Sequence, residues 1–458
     1  MNRVLSAIDK GRDAALDGLR EFLRIPSVST HAHHKQDVQN CAEFLAEEMR
    51  RIGLHEVESI PTAGHPIVYG EWMGAPGQRT VLFYGHYDVQ PAEPFELWET
   101  DPFDPTVRGD DLFARGSTDD KGQVWLHLKA LEAHLTQTGR LPVNVKWLIE
   151  GEEEVTGPNL DAYVESHQEK LAADLILISD TTMFDYDVPS ITYGLRGISY
   201  MEVLTQGSNE DLHSGGYGGS VANPINAMAS IIAQLLDDKG RITIPGFYDD
   251  VVPLTDEERA AFAALPFDEE AYRKRLGVDA LTGETGYTSL ERIWARPTLD
   301  VNGILGGFTG EGSKTIIPSK GMAKVSMRLV PEQDPVQIAE MFENHVRKLT
   351  PPGVTIDFIR HGTGKPFLTP KDHPFIQAAG RALEKGFGRA PVYNREGGSI
   401  PVVATFQETL GLPTVLMGFG LPDCNAHAPN EKFNLKNFYR GIASAAWFYQ
   451  ELYTDKYV

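Results

Sequence analysis

Four short apolar runs constrain the fold of this chain more than any other feature of its sequence. They occupy residues 81–84, 143–149, 175–178 and 414–417, and each has the length of one buried strand. Stretches with helical periodicity, such as residues 124–135, separate apolar runs along the chain. Strands that alternate with helices in this way predict an α/β domain with a largely parallel sheet.

A different pattern lies between residues 193 and 362. Residues 322–330 alternate apolar and polar side chains as a strand does, and a helix is predicted to begin at Asp334. Together with the other strands and the other helix predicted in this part of the chain, these elements follow the order β-α-β-β-α-β. This order predicts a ferredoxin-like α+β unit. We therefore expect a smaller domain at 193–362, inserted into a larger α/β domain formed by residues 1–192 and 363–458.

Charge and cysteine content exclude several classes of protein. The 458 residues include 64 Asp and Glu against 42 Lys and Arg, a formal charge of −22, so the chain repels nucleic-acid phosphates and anionic membrane surfaces. Cys41 and Cys424 are too few for a disulfide framework. Asp9 and Lys10 interrupt the apolar stretch that a signal peptide needs, and no apolar run is long enough to span a membrane. We expect a cytoplasmic protein with neither a nucleic-acid nor a membrane partner.

Histidine or acidic side chains follow each of the four apolar runs. His86 and Asp88 follow the first run, residues 152–154 (Glu-Glu-Glu) the second and Asp180 the third, while His427 follows the fourth after a glycine-rich turn. Ligands of open α/β sheets bind outside the carboxyl ends of the strands. A parallel sheet would therefore collect these side chains at one edge.

Taken singly, each of these positions also allows a purely structural interpretation. His86 and Asp88 point to the same side of an extended backbone, so one could bind a metal ion while the other orients it, or both could simply end a strand. Asp119 or Asp120 could cap the helix that follows. Residues 152–154 could be a solvated acidic surface; at a buried edge they would need a cation or a raised pKa, and one could then bind metal while another acts as a base.

Six motifs, in a consistent order along the chain, give it a resemblance to a known family. The first three look like motifs of the M20 metallopeptidases, and the last three resemble the carnosinase-like (cytosolic nonspecific dipeptidase) branch of that family. The resemblance extends from about residue 20 to the C-terminus. The motifs are GHYDVQP at 85–91, GSTDDKG at 116–122, EGEEE at 150–154, ITYGLRG at 191–197, DLHSG at 211–215 and REGGSIP at 395–401.

The resemblance implies a di-metal aminopeptidase-like catalytic domain with a mainly parallel sheet, and an inserted ferredoxin-like lid and dimerisation domain. It also implies two divalent metal ions per subunit, which are zinc or else manganese or cobalt. Mixed ligation by imidazoles and carboxylates suits all three metals. The implied ligands are Asp119, which bridges the two ions, His86 and Asp180 at one ion, and Glu154 and His427 at the other.

The same resemblance implies the remaining roles. Glu153 is the general base, and Asp88 orients His86. In dimeric relatives the lid histidine, here His213, reaches the active site of the partner subunit, so a homodimer is expected. The residues implied to face the substrate are His213, Thr315, Arg328, Glu396 and Ser399.

The function implied is metal-dependent hydrolysis of the peptide bond of dipeptides or very short peptides. One alternative is an N-acyl-amino-acid deacylase or desuccinylase of the same fold, which shares the metal ligands; the motifs around His213, Arg328 and Ser399 favour the dipeptidase. A second alternative is a non-catalytic binding protein on the same scaffold. The presence of Glu153 and of every implied ligand argues against it.

Overall fold

The computed structural model describes residues 1–155, 157, 159–398 and 400–453. The chain forms two compact units. The first unit contains Met1–Tyr193, Thr369–Asn394 and the chain from Thr405 onward, and the second contains Gly194–Leu368 and Arg395–Ala404. Among the described residues, no helix combines the length and the apolar character that crossing a membrane would require.

The strands and helices are numbered in chain order. The strands are β1 (His55–Ile60), β2 (Ile67–Trp72), β3 (Thr80–His86), β4 (Thr106–Arg108), β5 (Asp111–Phe113), β6 (Asn144–Glu150), β7 (Leu175–Ile178), β8 (Ser190–Leu195), β9 (Gly197–Gln206), β10 (Leu212–His213), β11 (Thr298–Gly306), β12 (Ile316–Ile317), β13 (Lys320–Leu329), β14 (Thr355–Gly364), β15 (Phe367–Leu368), β16 (Val392–Glu396), β17 (Thr414–Leu416) and β18 (Lys432–Asn434). The helices are α1 (Asn2–Lys10), α2 (Arg12–Leu23), α3 (Lys35–Ile52), α4 (Lys121–Thr138), α5 (Asn159–Ser166), α6 (Gln168–Leu171), α7 (Ser214–Tyr217), α8 (Pro224–Ile232), α9 (Asp256–Ala263), α10 (Glu269–Leu276), α11 (Ser289–Ala295), α12 (Pro335–Leu349), α13 (Pro374–Phe387), α14 (Pro401–Leu410) and α15 (Leu435–Leu452). Short 3-10 helices lie at Ala32–His34, Phe95–Leu97 and Glu153–Val155.

The large sheet of the first unit is parallel at its centre and antiparallel at its sides. Its strands follow the order β1-β2-β6-β3-β7-β17-β8. The pairs β3–β6, β3–β7 and β17–β7 are parallel, whereas β1–β2, β2–β6 and β17–β8 are antiparallel. The four apolar runs are the four central strands. The sheet is therefore mixed. Strands β1 and β2 pair antiparallel because the connection between them is short and contains no helix, which permits only antiparallel pairing.

The parallel register brings the carboxyl ends of the central strands to one edge. His86 at the end of β3 lies opposite Glu150 at the end of β6, and Tyr84 of β3 lies opposite Ile178 at the end of β7. Leu416, which ends β17, also lies opposite Ile178. The segments that follow these strands therefore leave the sheet on the same side.

Helix α4 is buried on almost every side, and this burial fixes the loop in front of it. The side chains of Lys121, Val124, Trp125, Leu126 and Leu128 are all buried. Such an all-round apolar environment is typical of a helix inside a large core. The helix begins directly after Asp120, so the acidic pair Asp119-Asp120 is held at its N-terminal end.

The second unit contains the ferredoxin-like arrangement that the sequence predicted. Its elements follow the order β9-α8-β11-β13-α12-β14, and its antiparallel sheet has the order β11-β13-β9-β14. Alternate residues of β13, including Val325 and Met327, are buried in one core with Ile338 and Phe342 of α12. Helices α9, α10 and α11 form the insertion between α8 and β11, and α9 begins with a capping box formed by Thr255 and Glu258.

Candidate metal centre

His86 is fully buried at the end of β3 and has a carboxylate on each side of its ring. Its Nδ1 lies 3.1 Å from the backbone oxygen of Asp88 and 3.4 Å from that residue's Oδ1. Its Nε2 lies 3.1 Å from Asp119 Oδ1 and 3.8 Å from Asp180 Oδ2. Asp88 therefore lies at one nitrogen of the ring, and the opposite nitrogen faces two carboxylates, as in histidines that bind metal ions.

Asp119 lies between two groups of possible ligands. Its Oδ1 faces His86, and its Oδ2 lies 2.9 Å from Nε2 of His427. The same His427 nitrogen lies 3.3 Å from Oε2 of Glu154. The ligand atoms of His86, Asp119 and Asp180 lie within 4.8 Å of one another, and so do those of Asp119, Glu154 and His427. One aspartate thus belongs to both groups, with one oxygen directed to each.

The chain places these five side chains with different local structures. His86 ends a strand, Asp180 follows one, and Asp119 directly precedes Asp120, the N-cap residue of α4. The peptide bond between Asp119 and Asp120 is cis. His427 lies in the turn after β17 with a φ of 60°, a left-handed conformation that few non-glycine residues adopt. The positions of the five side chains thus depend on strand ends and turns of the first unit.

Hydrogen bonding inside these groups shifts several pKa values. Burial alone would raise the pKa of Asp119, but hydrogen bonds with His427 and His86 outweigh burial and lower it. Hydrogen bonds with Asp119 and Glu154 raise the pKa of His427 to about 10. Burial would lower the pKa of His86, yet its contacts with Asp119 and Asp88 raise it well above its usual value. These hydrogen bonds therefore favour the protonated form of both histidines.

Glu153 lies in the 3-10 helix that follows β6, next to Glu154. Burial raises the pKa of Glu153 well above its usual range; His86 opposes this shift, whereas the negative charges of Asp180 and Glu154 add to it. A carboxyl group with a raised pKa can take up a proton and release it again near neutral pH. The position and the pKa of Glu153 therefore suit proton transfer beside the ligand groups.

The residues of the centre fit a pair of divalent cations. Glu154 Oε1 and Asp88 Oδ1 are buried and accept no hydrogen bond from the part of the chain that the structure describes. Buried polar atoms without partners are costly and call for an unplaced water or ion. Two imidazoles and three carboxylates form a donor set that zinc, manganese and cobalt accept. The fit rests on this donor set and on the Glu154 oxygen that lacks a partner.

The second unit brings His213 and Thr315 together. His213 ends β10 opposite Ile316 of β12, and the backbone N–H of Ser214 donates to the carbonyl of Thr315 at 3.1 Å. The exposed ring of His213 accepts a hydrogen bond from the backbone N–H of Gly216 at 3.0 Å. The histidine is thus held by its own loop, with its ring exposed.

Arg328 and Glu396 lie near one more arginine of the second unit. Arg328 lies in β13 between Ile198 of β9 and Thr298 of β11. The backbone N–H of Arg196 donates to the carbonyl of Glu396 at 3.3 Å. Burial lowers the pKa of Arg196 to about 10, and the positive charge of Arg328 adds to that shift. Ser399, the last residue implied to face the substrate, lies outside the described residues.

Comparison with known proteins decides the family. The model of peptidase family M20/M25/M40 matches residues 82–451. The Cys-Gly metallodipeptidase dug1 of Schizosaccharomyces pombe is 34% identical over 467 residues, which cover 99% of this chain and 98% of the relative. The Beta-Ala-His dipeptidase of Homo sapiens is 33% identical over 479 residues, 99% of this chain and 92% of the relative. The M20 family metallo-carboxypeptidase Sso-CP2 from Sulfolobus solfataricus has the same fold, with a TM-score of 0.85 at 35% identity over 96% of this chain and 99% of that structure.

This chain belongs to the M20 peptidase family. The family expected from the six motifs is therefore confirmed, and so are the fold class and the expectation of a metallopeptidase.

Sequence reasoning missed two residues of this M20 peptidase, Glu431 and Arg196. Glu431 is fully buried and accepts hydrogen bonds from the backbone N–H groups of Gly116, Thr118 and Asp119 and from the guanidinium of Arg115. The sequence signal for this contact was an arginine beside the glycine-serine turn and an acid shortly after His427. The second missed residue is Arg196, whose signal was a cation in the turn between two strands.

Proposed function

We propose that this M20 peptidase hydrolyses the peptide bond of dipeptides and very short peptides at a two-metal centre. The observation that carries the proposal is the position of Asp119, whose two oxygens face two separate ligand groups. A bridging carboxylate of this kind is what two neighbouring cations require. The names of the relatives, a Cys-Gly metallodipeptidase and a Beta-Ala-His dipeptidase, support dipeptides as the substrate class.

In the proposal, His86 and Asp180 hold one ion, Glu154 and His427 hold the other, and Asp119 bridges them. The metal is zinc, with manganese or cobalt as alternatives. When bound, two such ions polarise the scissile carbonyl and lower the pKa of a water molecule to about 7. Asp88 keeps His86 in the orientation that directs Nε2 toward the carboxylates.

Glu153 is the general base of the proposed reaction. It accepts the proton of the attacking water and donates it to the leaving amine. Its neighbour Glu154 is a ligand, so the two adjacent acids have different tasks. The burial that raises the pKa of Glu153 supports this role, because a carboxylate that binds a proton readily can carry it from one reactant to the other.

The second unit supplies the substrate contacts of the proposal, as a lid over roughly residues 193–362. His213 hydrogen-bonds the oxygen on which negative charge develops, and Arg328 binds the carboxylate of the substrate with its planar guanidinium. Arg196 lies close enough to Arg328 for the positive charge of Arg328 to lower the pKa of Arg196. Two neighbouring cations of this kind favour an anionic ligand. Thr315, Glu396 and Ser399 complete the proposed contacts.

The proposal includes a homodimer formed through the lid, in which His213 acts at the partner's centre, and a cytoplasmic location. The glycine-rich loop after His213, residues 215–219, suits close approach to another backbone. Two-fold association of one surface patch is the commonest closed assembly.

A substrate panel tests the proposed function. The metal-loaded protein is assayed against dipeptides, tripeptides, N-acetyl amino acids and N-succinyl amino acids, with Glu153→Gln as the inactive control. We expect dipeptides to be the best substrates by kcat/KM. Faster turnover of the N-acyl amino acids would replace the proposal with a deacylase or desuccinylase.

The likeness to a metallo-carboxypeptidase at 35% identity supports one further candidate. A carboxypeptidase would also remove the last residue of N-blocked tripeptides, which a dipeptidase leaves intact because it needs the free amino group. Adding N-blocked tripeptides to the panel separates these two activities.

A further inference from the structure

Three histidines of the first unit lie together in a segment that the metal centre does not use. They are His31, His33 and His34, and the last two belong to the 3-10 helix Ala32–His34, which leads into α3. One ring nitrogen from each lies within 4.8 Å of the others. None of the three belongs to the ligand groups around Asp119. The tight turn explains part of the arrangement, because residues three apart share one face of a 3-10 helix.

The three rings lie close to one another, and one nitrogen of each lies within 4.8 Å of the others. The ring centroids of His33 and His34 lie 4.3 Å apart, those of His31 and His33 5.2 Å, and those of His31 and His34 6.3 Å. A tetrahedral zinc ion, with Zn–N distances of about 2.0–2.1 Å, holds its ligand nitrogens about 3.3 Å apart. His33 is exposed and the other two are partly exposed. Rotation of these side chains can therefore bring the ligand nitrogens, now within 4.8 Å of one another, to the spacing that zinc requires.

A carboxylate already orients one of the rings. Oδ2 of Asp37, in the first turn of α3, lies 2.7 Å from Nδ1 of His34. A carboxylate on one ring nitrogen fixes the hydrogen at that atom and leaves the other nitrogen with the lone pair that a metal needs. This contact is the arrangement that supports histidine ligands in zinc proteins.

We propose that His31, His33 and His34 form a further binding site for a borderline divalent cation, Zn²⁺ above all, with Asp37 as the residue that orients His34. Three imidazoles without a carboxylate ligand select zinc, nickel or copper rather than manganese, magnesium or calcium. A water molecule takes the fourth position of a tetrahedral ion. The donor set therefore differs from that of the Asp119 centre, which is rich in carboxylates and accepts manganese as well.

Metal counting tests the site directly. The whole protein is dialysed to equilibrium against Zn²⁺, and bound metal is measured for the wild type, for the double variant His31→Ala/His33→Ala and for the control His55→Ala, an exposed histidine of β1. We expect the double variant to bind one equivalent fewer than the wild type, and the control to bind the same number. Asp37→Asn should weaken that equivalent about 10–100-fold. Dialysis against Mn²⁺ should show no difference between the variants.

The outcome does not depend on the proposed function. The variant Asp119→Ala should still bind the zinc equivalent that the double variant loses, whether or not the centre around Asp119 binds two ions. Equal zinc content and affinity in the wild type and the double variant would overturn the proposal. So would the same loss in His55→Ala, or a Mn²⁺ equivalent that disappears with the histidines. Circular dichroism of the double variant checks that its fold is unchanged; should it misfold, the single variant His33→Gln, at an exposed position, is measured in its place.

Discussion

The buried carboxylate of Glu431 accepts a hydrogen bond from the backbone N–H of Asp119 at 3.1 Å. Its two oxygens also accept from the N–H groups of Thr118 and Gly116, at 2.9 Å and 2.8 Å, and Arg115 donates to it at 2.8 Å. Glu431 follows His427 in the same loop. One carboxylate therefore joins the loop that carries Asp119 to the loop that carries His427.

Glu431→Gln should destabilise the protein and weaken metal binding together. The amide keeps the size of the side chain but leaves the Arg115 guanidinium buried without its counter-charge, which costs about 3–5 kcal/mol. Urea unfolding measures the free energy of unfolding, and zinc titration measures the affinity. Glu43→Gln, an exposed carboxylate of α3, is the matched control and should change neither. Wild-type stability in Glu431→Gln would show that the contact is unimportant for the two loops.

Glu153→Gln should keep the bound metal and lose activity. The amide has the shape of the carboxylate but cannot take up the proton of water, and general base catalysis contributes about 10²–10⁴ to the rate. Steady-state kinetics with a dipeptide measure kcat, and elemental analysis confirms the metal content. A metal-loaded variant that turns over at nearly the wild-type rate would exclude Glu153 as the base.

Asp119→Ala should lose both ions, whereas Asp180→Ala should lose only one. The difference follows from geometry, since Asp119 belongs to both ligand groups and Asp180 to one. Elemental analysis after dialysis against zinc gives the number of ions per chain. Metal content near the wild-type value in Asp119→Ala would mean that this side chain binds neither ion.

Metal binding should weaken as the pH falls. Without a bound cation, the pKa of His427 is raised to about 10 and that of His86 is raised well above its usual value, so protonation of both rings competes with metal binding. A cation must displace these protons, and metal binding therefore releases them. Calorimetric titration with zinc at about pH 6 and about pH 8, in buffers of different ionisation enthalpy, measures the affinity and the protons released. His427→Gln should release fewer protons than the wild type; an affinity that stays constant across this range would contradict the expected proton release.

Mixed dimers should recover activity if His213 acts at the partner's centre. His213→Ala and Glu153→Gln should each be inactive, but a mixed dimer has one centre with an intact Glu153 and a wild-type His213 from the other chain. With free exchange about half of the dimers are mixed, each with one working site of two, so activity should reach about a quarter of the wild-type value. Co-expression with two different tags allows the mixed dimer to be purified. Its inactivity would place His213 in its own chain's reaction or outside the reaction.

The strands and ligands that depend on local pattern could be predicted, and the contacts between distant segments could not. The apolar runs before His86 and Asp180 are buried on both faces, so their strands and the edge at which they end follow from composition alone. The antiparallel strand β1 is mostly exposed and carries no such run, and the three apolar residues that begin β2 are too short a run to predict a buried strand. Glu431 accepts hydrogen bonds from backbone groups more than 300 residues earlier in the chain; Thr118, for example, lies 313 residues before it. No periodicity in the sequence indicates a backbone donor at such a separation.

The order in which the ligands occur along the chain has a consequence for biosynthesis. His86, Asp119 and Asp180 all precede the second unit, whereas His427 lies beyond it. Because a ribosome makes the chain from its N-terminus, the second ligand group must wait for His427, and the loop that carries Asp119 must wait for Glu431, which holds it. We therefore expect the nascent chain to bind no pair of metal ions before the second unit and the loop of His427 have been translated.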